Sequence, residues 1–560
     1  MATLQDKLLF FTTSPRSPSK MIPEIKLLYE NFEGQKWSPL TQVQFIEDLA
    51  ASDFFEGKGS ASDKAFSARD RINRAPKSLG FVDIKPFIKL TDAGRALIFG
   101  KRPQEVFLRQ LLKFQIPSPY HKESAKNQGT FYIRPFLEIL RLVRELDYLT
   151  FDELKIFALQ MTDYRNFEDI KSQITTFREQ KPKGKYKSFV DALWTKAIRD
   201  IYSERIAEGN TKTRETSDAS LKRFIKTKKS NMRDYADACF RYLRFTELIS
   251  IAHKNKTIYI SENKIPEVDY ILKTIPRAPV FVSDLRQYKA YLFSANLPLL
   301  YSDDRNNIID SIMRISEYTK RELLCLDIEA LKDLRDNLIA KRKENVIHEQ
   351  VSQIKSYALY SEIIDTFNEI ISDGYYDLPL MFEYNTWRAM TMLDGGNIKG
   401  NFKFDDQGQP LSTAAGNMPD IECDYTDYVL AVEVTLQSGQ RQYEAEGEPV
   451  ARHYGRLKTK AGKETYCLFI APIINEATLA HFYGLNHVPI KLYGGKSKII
   501  PLDLKQFIHL IDNSYNYPSH PTPSDVRNFL DAVIDECACA SDENDWQERI
   551  QRCVNSWMAG

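Results

Sequence analysis

The stretch that decides the fold reads NMPDIECDYTDYVLAVEVTLQSGQRQYEAEGEPVARHY and spans residues 417–454. Residues 421–425 alternate polar and apolar side chains, which predicts a half-buried strand that begins just after Asp420. The nearly continuous apolar run 428–435 predicts a central strand that is covered on both faces. In such a hairpin, Asp420 near the start of one strand is level with Glu433 near the end of the next.

An acid on an apolar strand is costly to bury unless something pairs with it. Carboxylates that converge on one point make an oxygen-rich site suited to Mg²⁺. We therefore predict that Asp420 and Glu433 bind this ion, which would polarise a phosphate and its attacking water. Glu446 follows by a short loop and completes the set or orients the water, while His453 contacts phosphate. The stretch is then the catalytic centre of a metal-dependent nuclease.

Several of these residues also have a plain structural interpretation. Asp420 follows a proline and is a common turn residue. Glu446 and Glu448 are equally placed by the pattern alone. His453 at a loop end is a frequent hydrogen-bonding residue. Glu433, within an apolar run, is the hardest of them to explain by structure alone, because acids are rarely buried unpaired.

Bulk composition sets the frame for the rest of the chain. Its 560 residues exceed one ordinary core, so we expect two to four domains. The net charge of +1 means that nucleic-acid binding must come from local clusters of Lys and Arg. Seven scattered cysteines indicate reduced thiols. With no secretion signal or membrane span in the pattern, we expect a bacterial-type cytoplasmic protein.

Residues 64–98 carry the clearest DNA-binding pattern. A basic helix with Arg69, Arg71, Arg74 and Lys77 ends near a glycine. Two short strands, 81–84 and 87–90, and a helix capped at Thr91 follow it. This order is typical of a winged helix, whose basic helix enters the major groove, where arginine can read guanine. A solvated, charged helix face is the competing interpretation.

Two further basic stretches are candidate DNA contacts. The proline-rich residues 14–18 predict an irregular arm that exposes Arg16 and Lys20, either on phosphates or as a structural cap before a helix from residue 23. The basic run 222–230 leads into a helix and a hairpin of strands 249–252 and 257–260. The cations of this second stretch are more suited to phosphate than to bases, or they form a solvated charge run; they are Lys226, Lys228, Lys229 and Arg233.

The pattern predicts an α+β multidomain chain. Residues 1–282 form a winged-helix-rich recognition region, 283–373 a helical linker, and 374–560 a nuclease domain with a mixed sheet and helices on its faces. Within that domain, residues 382–393 form a helix that carries Glu383, which is either catalytic or an ordinary helix-face acid. Residues 456–463 form a basic turn, and strands follow at 466–471, 488–493 and 499–502. Helices at 503–511 and 523–546 close the chain.

The Pro-Asp, strand, Glu order resembles the PD-(D/E)xK nuclease superfamily. The segments AAGNMPDIE, VEVT, EGEPVARHY and YCLFIAP are similar to the AlwI family of Type IIS restriction endonucleases, which includes site-specific nicking enzymes. The N-terminal segments SPRSPSK, AFSARDR with LTDAG, and KRPQEVFLRQLLKFQIPS are similar to it as well. The resemblance therefore covers essentially the whole chain.

This resemblance implies a recognition half, a linker and a Mg²⁺-dependent α/β cleavage domain. It implies a short asymmetric site in double-stranded DNA, with cleavage a few bases to one side. The family's acidic cluster falls on Glu383, Asp420, Glu433 and Glu446. The superfamily's usual lysine is replaced by Thr435, so either Glu446 or His453 would help to activate water.

Three functions compete at this point. A Type IIS endonuclease explains both the basic N-terminal elements and the clustered acids. It leaves open nicking or double-strand cutting, which needs a transient dimer or a second subunit. A DNA-binding regulator with an inactive nuclease-like domain would explain the missing lysine. A helical scaffold does not account for Glu433.

Overall fold

The computed structural model describes residues 2–4, 6–52, 54–55, 63–393, 396–414 and 416–558. The chain forms two compact units. Unit 1 comprises residues 1–252 and 256–335, and unit 2 comprises 253–255 and 336–560. The segment 283–373, expected as a linker, is thus divided between the two units. None of the helices in the described ranges is long and apolar enough to cross a membrane.

Unit 1 is mainly helical. Its helices are α1 (Pro18–Phe32), α2 (Pro39–Ala51), α3 (Lys64–Asn73), α4 (Ala75–Ser78), α5 (Asp92–Phe99), α6 (Pro103–Lys113), α7 (Pro135–Glu145), α8 (Phe151–Ile156), α9 (Phe167–Glu179), α10 (Tyr186–Ile201), α11 (Ser203–Ala207), α12 (Leu221–Phe245), α13 (Ile265–Thr274), α14 (Leu285–Phe293), α15 (Arg305–Ile315) and α16 (Lys320–Leu323). Its strands are β1 (Ala2–Leu4), β2 (Val82–Asp83), β3 (Lys89–Leu90), β4 (His121–Glu123), β5 (Tyr148–Thr150), β6 (Ile249–Ala252) and β7 (Thr257–Ile260).

The elements expected around the basic helix are present, although the strands are shorter than predicted. The single basic helix that was predicted is divided into α3 and α4, with Arg74 between them. Helix α3 is followed by α4, the antiparallel pair β2–β3 and helix α5. The Thr91 side chain accepts a hydrogen bond from the Gly94 N–H and so caps α5. A winged-helix assignment for this order stays a prediction.

The N-terminal arm is shorter than predicted. Helix α1 begins at Pro18 rather than at residue 23, so Lys20 lies within the helix. Proline at the first turn lacks only an N–H that would be unsatisfied there, which lets the helix begin earlier.

The second basic run also differs from the expectation. It is part of the single helix α12, whereas the predicted hairpin is present as β6 and β7. Strand β5 pairs with β7 and extends this hairpin to three strands.

Helix α17 (Ile328–Lys355) contains the division between the units, which falls after Arg335. Unit 2 continues with α18 (Tyr360–Ile371), α19 (Leu378–Leu393), α20 (Gln440–Ala461), α21 (Glu476–His487), α22 (Leu504–Asn516), α23 (Pro523–Cys539) and α24 (Glu543–Ser556). Its strands are β8 (Asn397–Gly400), β9 (Lys403–Phe404), β10 (Pro410–Ser412), β11 (Ile421–Asp424), β12 (Tyr428–Val434), β13 (Glu464–Ala471) and β14 (Ile499–Asp503).

The core of unit 2 is a mixed five-stranded sheet in the order β14-β13-β12-β11-β8. Strands β11 and β12 pair antiparallel, whereas β12, β13 and β14 run parallel. Helix α20 connects β12 to β13, and α21 connects β13 to β14, as parallel neighbours require. The mixed sheet and its central strand are confirmed.

Helix α20 is the main departure from the expected elements. A loop was predicted around Glu446 and a turn at 456–463, yet α20 is one helix of 22 residues despite Pro449 in its interior. Its buried positions, which include Gly447, Val450, Tyr454 and Leu457, recur at helical spacing. At Gly455, a Cβ would lie 2.8 Å from the backbone of Tyr493, so the close packing of this helix needs glycine.

Two C-terminal predictions were wrong. Residues 488–493 do not form a strand; they contain a single bridge from Ile490 to Gly495 and a 3₁₀ helix at Lys491–Tyr493. Strand β14 lies at the edge of the sheet, next to β13. The long C-terminal helix is two helices, α23 and α24, because residues 540–542 interrupt it and Asp542 caps the second.

Candidate active site

The hairpin of β11 and β12 brings Asp420 next to the end of β12. Ile421 is opposite Val432 in the register, so the next step of the ladder pairs position 420 with 433. The Asp420 side chain accepts a hydrogen bond of 2.8 Å from the Val434 N–H. The expected level placement of Asp420 and Glu433 therefore matches the register.

The Asp420 backbone is positioned by Asn401, a residue that the sequence did not single out. The Asn401 N–H donates to the Asp420 carbonyl at 2.9 Å, and its side-chain amide donates to the Pro419 carbonyl at 2.8 Å. This pair of hydrogen bonds fixes the turn into β11. An asparagine shortly after a strand carries no pattern that would reveal this role.

Glu383 approaches the same place from helix α19. The residue is 7% exposed, and its carboxylate accepts a hydrogen bond of 3.1 Å from the Ala414 N–H. Burial raises the pKa of Glu383 well above its usual range, and the charges of Asp420, Asp377 and Glu433 raise it further. The interpretation of Glu383 as an ordinary surface acid is therefore wrong, because the side chain is buried beside other acids.

Glu433 is buried on β12 and contacts His453 of α20. Its Oε1 lies 2.8 Å from His453 Nδ1. Burial raises the pKa of Glu433 well above its usual range and the charge of Glu446 adds to this rise, whereas Arg452 opposes it. Burial also lowers the pKa of His453 to about 4, helped by Arg452 and Arg456, so its ring is neutral at pH 7.

Glu446 and Glu448, which the sequence left undecided, have different surroundings. Glu446 is half-buried and accepts a hydrogen bond of 2.7 Å from the Thr435 hydroxyl. Glu448 is exposed and forms a surface ion pair of 3.0 Å with Arg452. Glu446 and His453 are seven residues apart, about two helical turns, so both project from one face of α20. That face covers the end of β12.

A buried glutamine holds the loops beside this site. The Gln442 amide donates to the carbonyls of Gln437 and Ile473 at 3.0 and 2.9 Å, and its oxygen accepts from the Asn475 N–H at 2.8 Å. It therefore joins the chain after β12 to the chain after β13. Both loops follow the carboxyl ends of parallel strands, the edge at which α/β sheets commonly place their sites.

The acids form a group of like charges around the ends of β11 and β12. Burial raises the pKa of the neighbouring Cys467 thiol well above its usual range, and the charges of Glu433 and Asp420 add to this rise. Among the described residues, no group of three or more His, Cys, Asp or Glu side chains is arranged to hold a metal ion. The side chains that interact electrostatically there, Glu383, Asp420 and Glu433, carry carboxylate oxygens, the ligand type that Mg²⁺ prefers.

The cations predicted to bind DNA have varied surroundings. Arg16 is half-exposed beside Asp234 and Asp237, at 3.2 and 3.6 Å. Lys20, Lys226 and Arg233 are exposed.

Two other cations of α12 are paired within the protein. Lys228 is buried, with its ammonium 2.8 Å from Asp6, and Lys229 lies 2.5 Å from Asp191. In this conformation, neither ammonium is presented to a phosphate.

The four cations near α3 also differ from one another. Arg71 forms an ion pair with the buried Glu24, which gives it a structural role. Arg69 donates to Gln42 at 2.8 Å, and Arg74 pairs with Asp70. Lys77 lies with its ammonium 5.0 Å from the centre of the Tyr120 ring. Arg69, Arg74 and Lys77 line one cavity of unit 1.

Unit 2 has a mixed sheet with acids grouped at its hairpin, and unit 1 has a cavity lined by cations. This is the organisation of a restriction endonuclease. Comparison with protein families agrees. The family model described as AlwI restriction endonuclease matches residues 77–510, and the chain belongs to this family. It is therefore a site-specific deoxyribonuclease.

Comparisons with individual proteins add less. Among solved structures, the small subunit (R.BspD6I2) of the heterodimeric restriction endonuclease R.BspD6I is 26% identical, covering 34% of this chain and 97% of that one, with a TM-score of 0.30. The BpuJ1 endonuclease binding domain, in complex with pyrene- and phenanthrene-modified DNA, is 12% identical over 50% and 92%, with a TM-score of 0.33. Restriction endonuclease FokI is 12% identical over 93% and 99%, with a TM-score of 0.22. Comparison with curated proteins gives no significant match.

Proposed function

We propose that this chain is a Type IIS restriction endonuclease. Unit 1 reads a short asymmetric site in duplex DNA, and unit 2 hydrolyses a phosphodiester bond a few bases to one side. The observation that carries the proposal is the gathering of Glu383, Asp420 and Glu433 at one hairpin, where burial and like charge raise the pKa of two of them. Such an arrangement destabilises the fold unless a cation is bound there. Acids whose pKa is perturbed in this way are typical of catalytic sites.

Mg²⁺ fits the chemistry of this site. Asp420 and Glu433 would hold the ion through carboxylate oxygens, and a positive charge there would relieve the repulsion that acts on Glu383 and Glu433. When bound, the ion supplies charge to polarise the phosphate and the attacking water. Family membership as an endonuclease favours this enzyme over a DNA-binding regulator.

The residues of α20 take the place of the missing lysine. The His453 ring is held by Glu433 at Nδ1, so Nε2 is the nitrogen left to exchange a proton with water. Glu446 is held by the Thr435 hydroxyl and is oriented to the same strand end. We assign water activation to one of these two side chains, and Thr435 has the role of positioning Glu446.

The proposal is tested by incubating the purified full chain with supercoiled plasmid and Mg²⁺. We expect site-specific cleavage; open circles report nicking, and linear plasmid reports cleavage of both strands. The Asp420→Asn variant should bind DNA as the wild type does and lose cleavage. Failure of the wild-type chain to cut in any divalent metal would contradict the proposal.

A further inference from the structure

A cavity of about 290 Å³ lies in unit 1 where α3 and α4 meet the start of β4. Its lining is continuous in space although it comes from two parts of the chain: Phe66, Arg69, Asp70, Asn73, Arg74, Lys77, Ser78, Tyr120 and His121. A single water needs only about 10–15 Å³ measured in the same way. The recess therefore admits a larger group.

The polar lining of the cavity favours an anion. Three cations face one carboxylate, and that carboxylate, Asp70, is already paired with Arg74. Asp83, which lies near Lys77, is paired with Lys289 at 2.5 Å. Positive charge is thus in excess at the cavity. The walls hold an aromatic ring, Tyr120, and a buried imidazole, His121, whose pKa burial lowers to about 4 so that it stays neutral.

The position of these cations indicates which part of DNA they can contact, the phosphate backbone or the base edges. Arg69 is held by Gln42 and Arg74 by Asp70, so both side chains are fixed in the wall of a recess. Base edges lie at the floor of a major groove about 8.5 Å deep, which a recessed side chain does not reach. Phosphates project from the duplex and enter a recess.

We propose that this cavity anchors a phosphodiester group of the DNA backbone through Arg69, Arg74 and Lys77. The inference rests on the proposed function, in which unit 1 binds DNA. It changes the role expected for these arginines, from reading guanine to fixing the position of the duplex. Sequence reading then falls to other side chains of unit 1.

The test measures DNA binding by the full chain in EDTA over a range of salt concentrations. Two duplexes are used, one with the mapped recognition site and one with that site scrambled. For Lys77→Met, we expect affinity to fall about 10-fold for both duplexes, and the slope of log affinity against log salt to decrease by about 1. Arg69→Met is the second variant and should behave in the same way.

Lys273→Met is the matched control, because Lys273 is exposed on α13 outside the cavity and the same charge is removed. Its affinity and salt slope should equal those of the wild type. Thermal melts show whether each variant is folded. Inorganic phosphate, at constant ionic strength, should compete with the scrambled duplex on the wild type and less on Lys77→Met.

Three results would overturn the anchor. Unchanged binding of both duplexes by the two folded variants is the first. The second is weakened binding of the site-containing duplex alone, which indicates a base contact. The third is loss of phosphate binding without any change in DNA affinity, which indicates a site for free phosphate. In each case, cleavage by the wild type would still support the proposed endonuclease function. Absence of cleavage by the wild type would contradict that function and would say nothing about the anchor.

Discussion

The two units contain different kinds of buried charge group. In unit 1, one such group pairs opposite charges: Arg109 with Asp303 at 2.7 Å, Lys332 with Asp303 at 2.9 Å, and Arg335 with Glu105 at 3.0 Å. In unit 2, Glu383 of helix α19 lies beside Asp420 and Glu433 of the β11–β12 hairpin, so like charges come together. Opposite charges in a group stabilise one another, whereas like charges repel one another unless a counterion binds between them. Buried charge alone therefore does not reveal a functional site; the sign of its neighbours does.

The largest effect should follow from neutralising an acid of unit 2. We expect Glu433→Gln to lower cleavage at least about 100-fold, because it removes a carboxylate proposed to bind the metal. Without metal, its melting temperature should equal or exceed that of the wild type, since a repelling buried charge is lost. Cleavage assays and thermal melts in EDTA measure the two quantities.

Glu448→Gln is the control for this variant, because Glu448 is an exposed acid on α20. It should cut DNA as the wild type does. A Glu433→Gln protein that cuts normally, or that melts well below the wild type while Glu448→Gln does not, would place Glu433 among the structural charges.

Metal should stabilise unit 2 by relieving the same repulsion. A ligand at 100 times its dissociation constant stabilises a fold by about 2.7 kcal/mol. Thermal melts of the wild type with saturating Mg²⁺ should show a higher melting temperature, corresponding to a stabilisation of this order, and EDTA should abolish cleavage. Glu433→Gln should show little rise. An equal rise in both proteins would mean that the ion binds elsewhere.

Neutralising a paired acid of unit 1 should lower the stability of the protein. Although burial alone would raise it, the hydrogen bonds to Asp303 from Arg109, the Leu300 N–H and Lys332 hold its pKa at about 2. Because the folded pKa is below the ordinary value of 3.8, stability from Asp303 is present above pH 4 and is lost as the pH falls through 2. Asp303→Asn should therefore cost about 2 kcal/mol at pH 7.

Urea unfolding of wild type and Asp303→Asn between pH 7 and pH 2 measures this effect. The difference between them should shrink below pH 4, and cleavage per folded molecule should be unchanged. Asp310→Asn, at an exposed position on α15, is the control and should match the wild type. A difference that stays constant with pH would contradict the charge-pairing account.

The smallest effect concerns the position of the missing lysine. Thr435→Val keeps the branched side chain and removes the hydroxyl that donates to Glu446. We expect a loss of cleavage of roughly 5-fold, the worth of one hydrogen bond of about 1 kcal/mol. Thr465→Val makes the same change on the neighbouring strand β13 and should cut normally. Equal rates for all three proteins would remove Thr435 from the site.

The same contrast explains what the sequence could predict. The hairpin followed from a local alternation and an apolar run, and it placed position 420 opposite 433. Helix α20 was not predicted, although its buried positions keep helical spacing. It contains Gly447 and Pro449, residue types that disfavour a helix interior. The approach of Glu446 to Thr435 depends on that helix.

Ion pairs between residues that are distant in the sequence could not be predicted either. Lys228 and Asp6 are 222 positions apart, so no local pattern distinguishes this buried pair from a phosphate contact. The sequence pattern shows that a cation is present, but it does not show whether an acid elsewhere in the chain pairs with it. That difference decides which cations are available to DNA.

The most direct test of the central claim is to map the ends of genomic DNA digested with Mg²⁺ by the wild type and by Glu433→Gln. We expect wild-type ends at a constant offset of a few bases, on one side of a short asymmetric sequence, and no such ends from the variant. Ends scattered without a common sequence, or the same ends from both proteins, would contradict it.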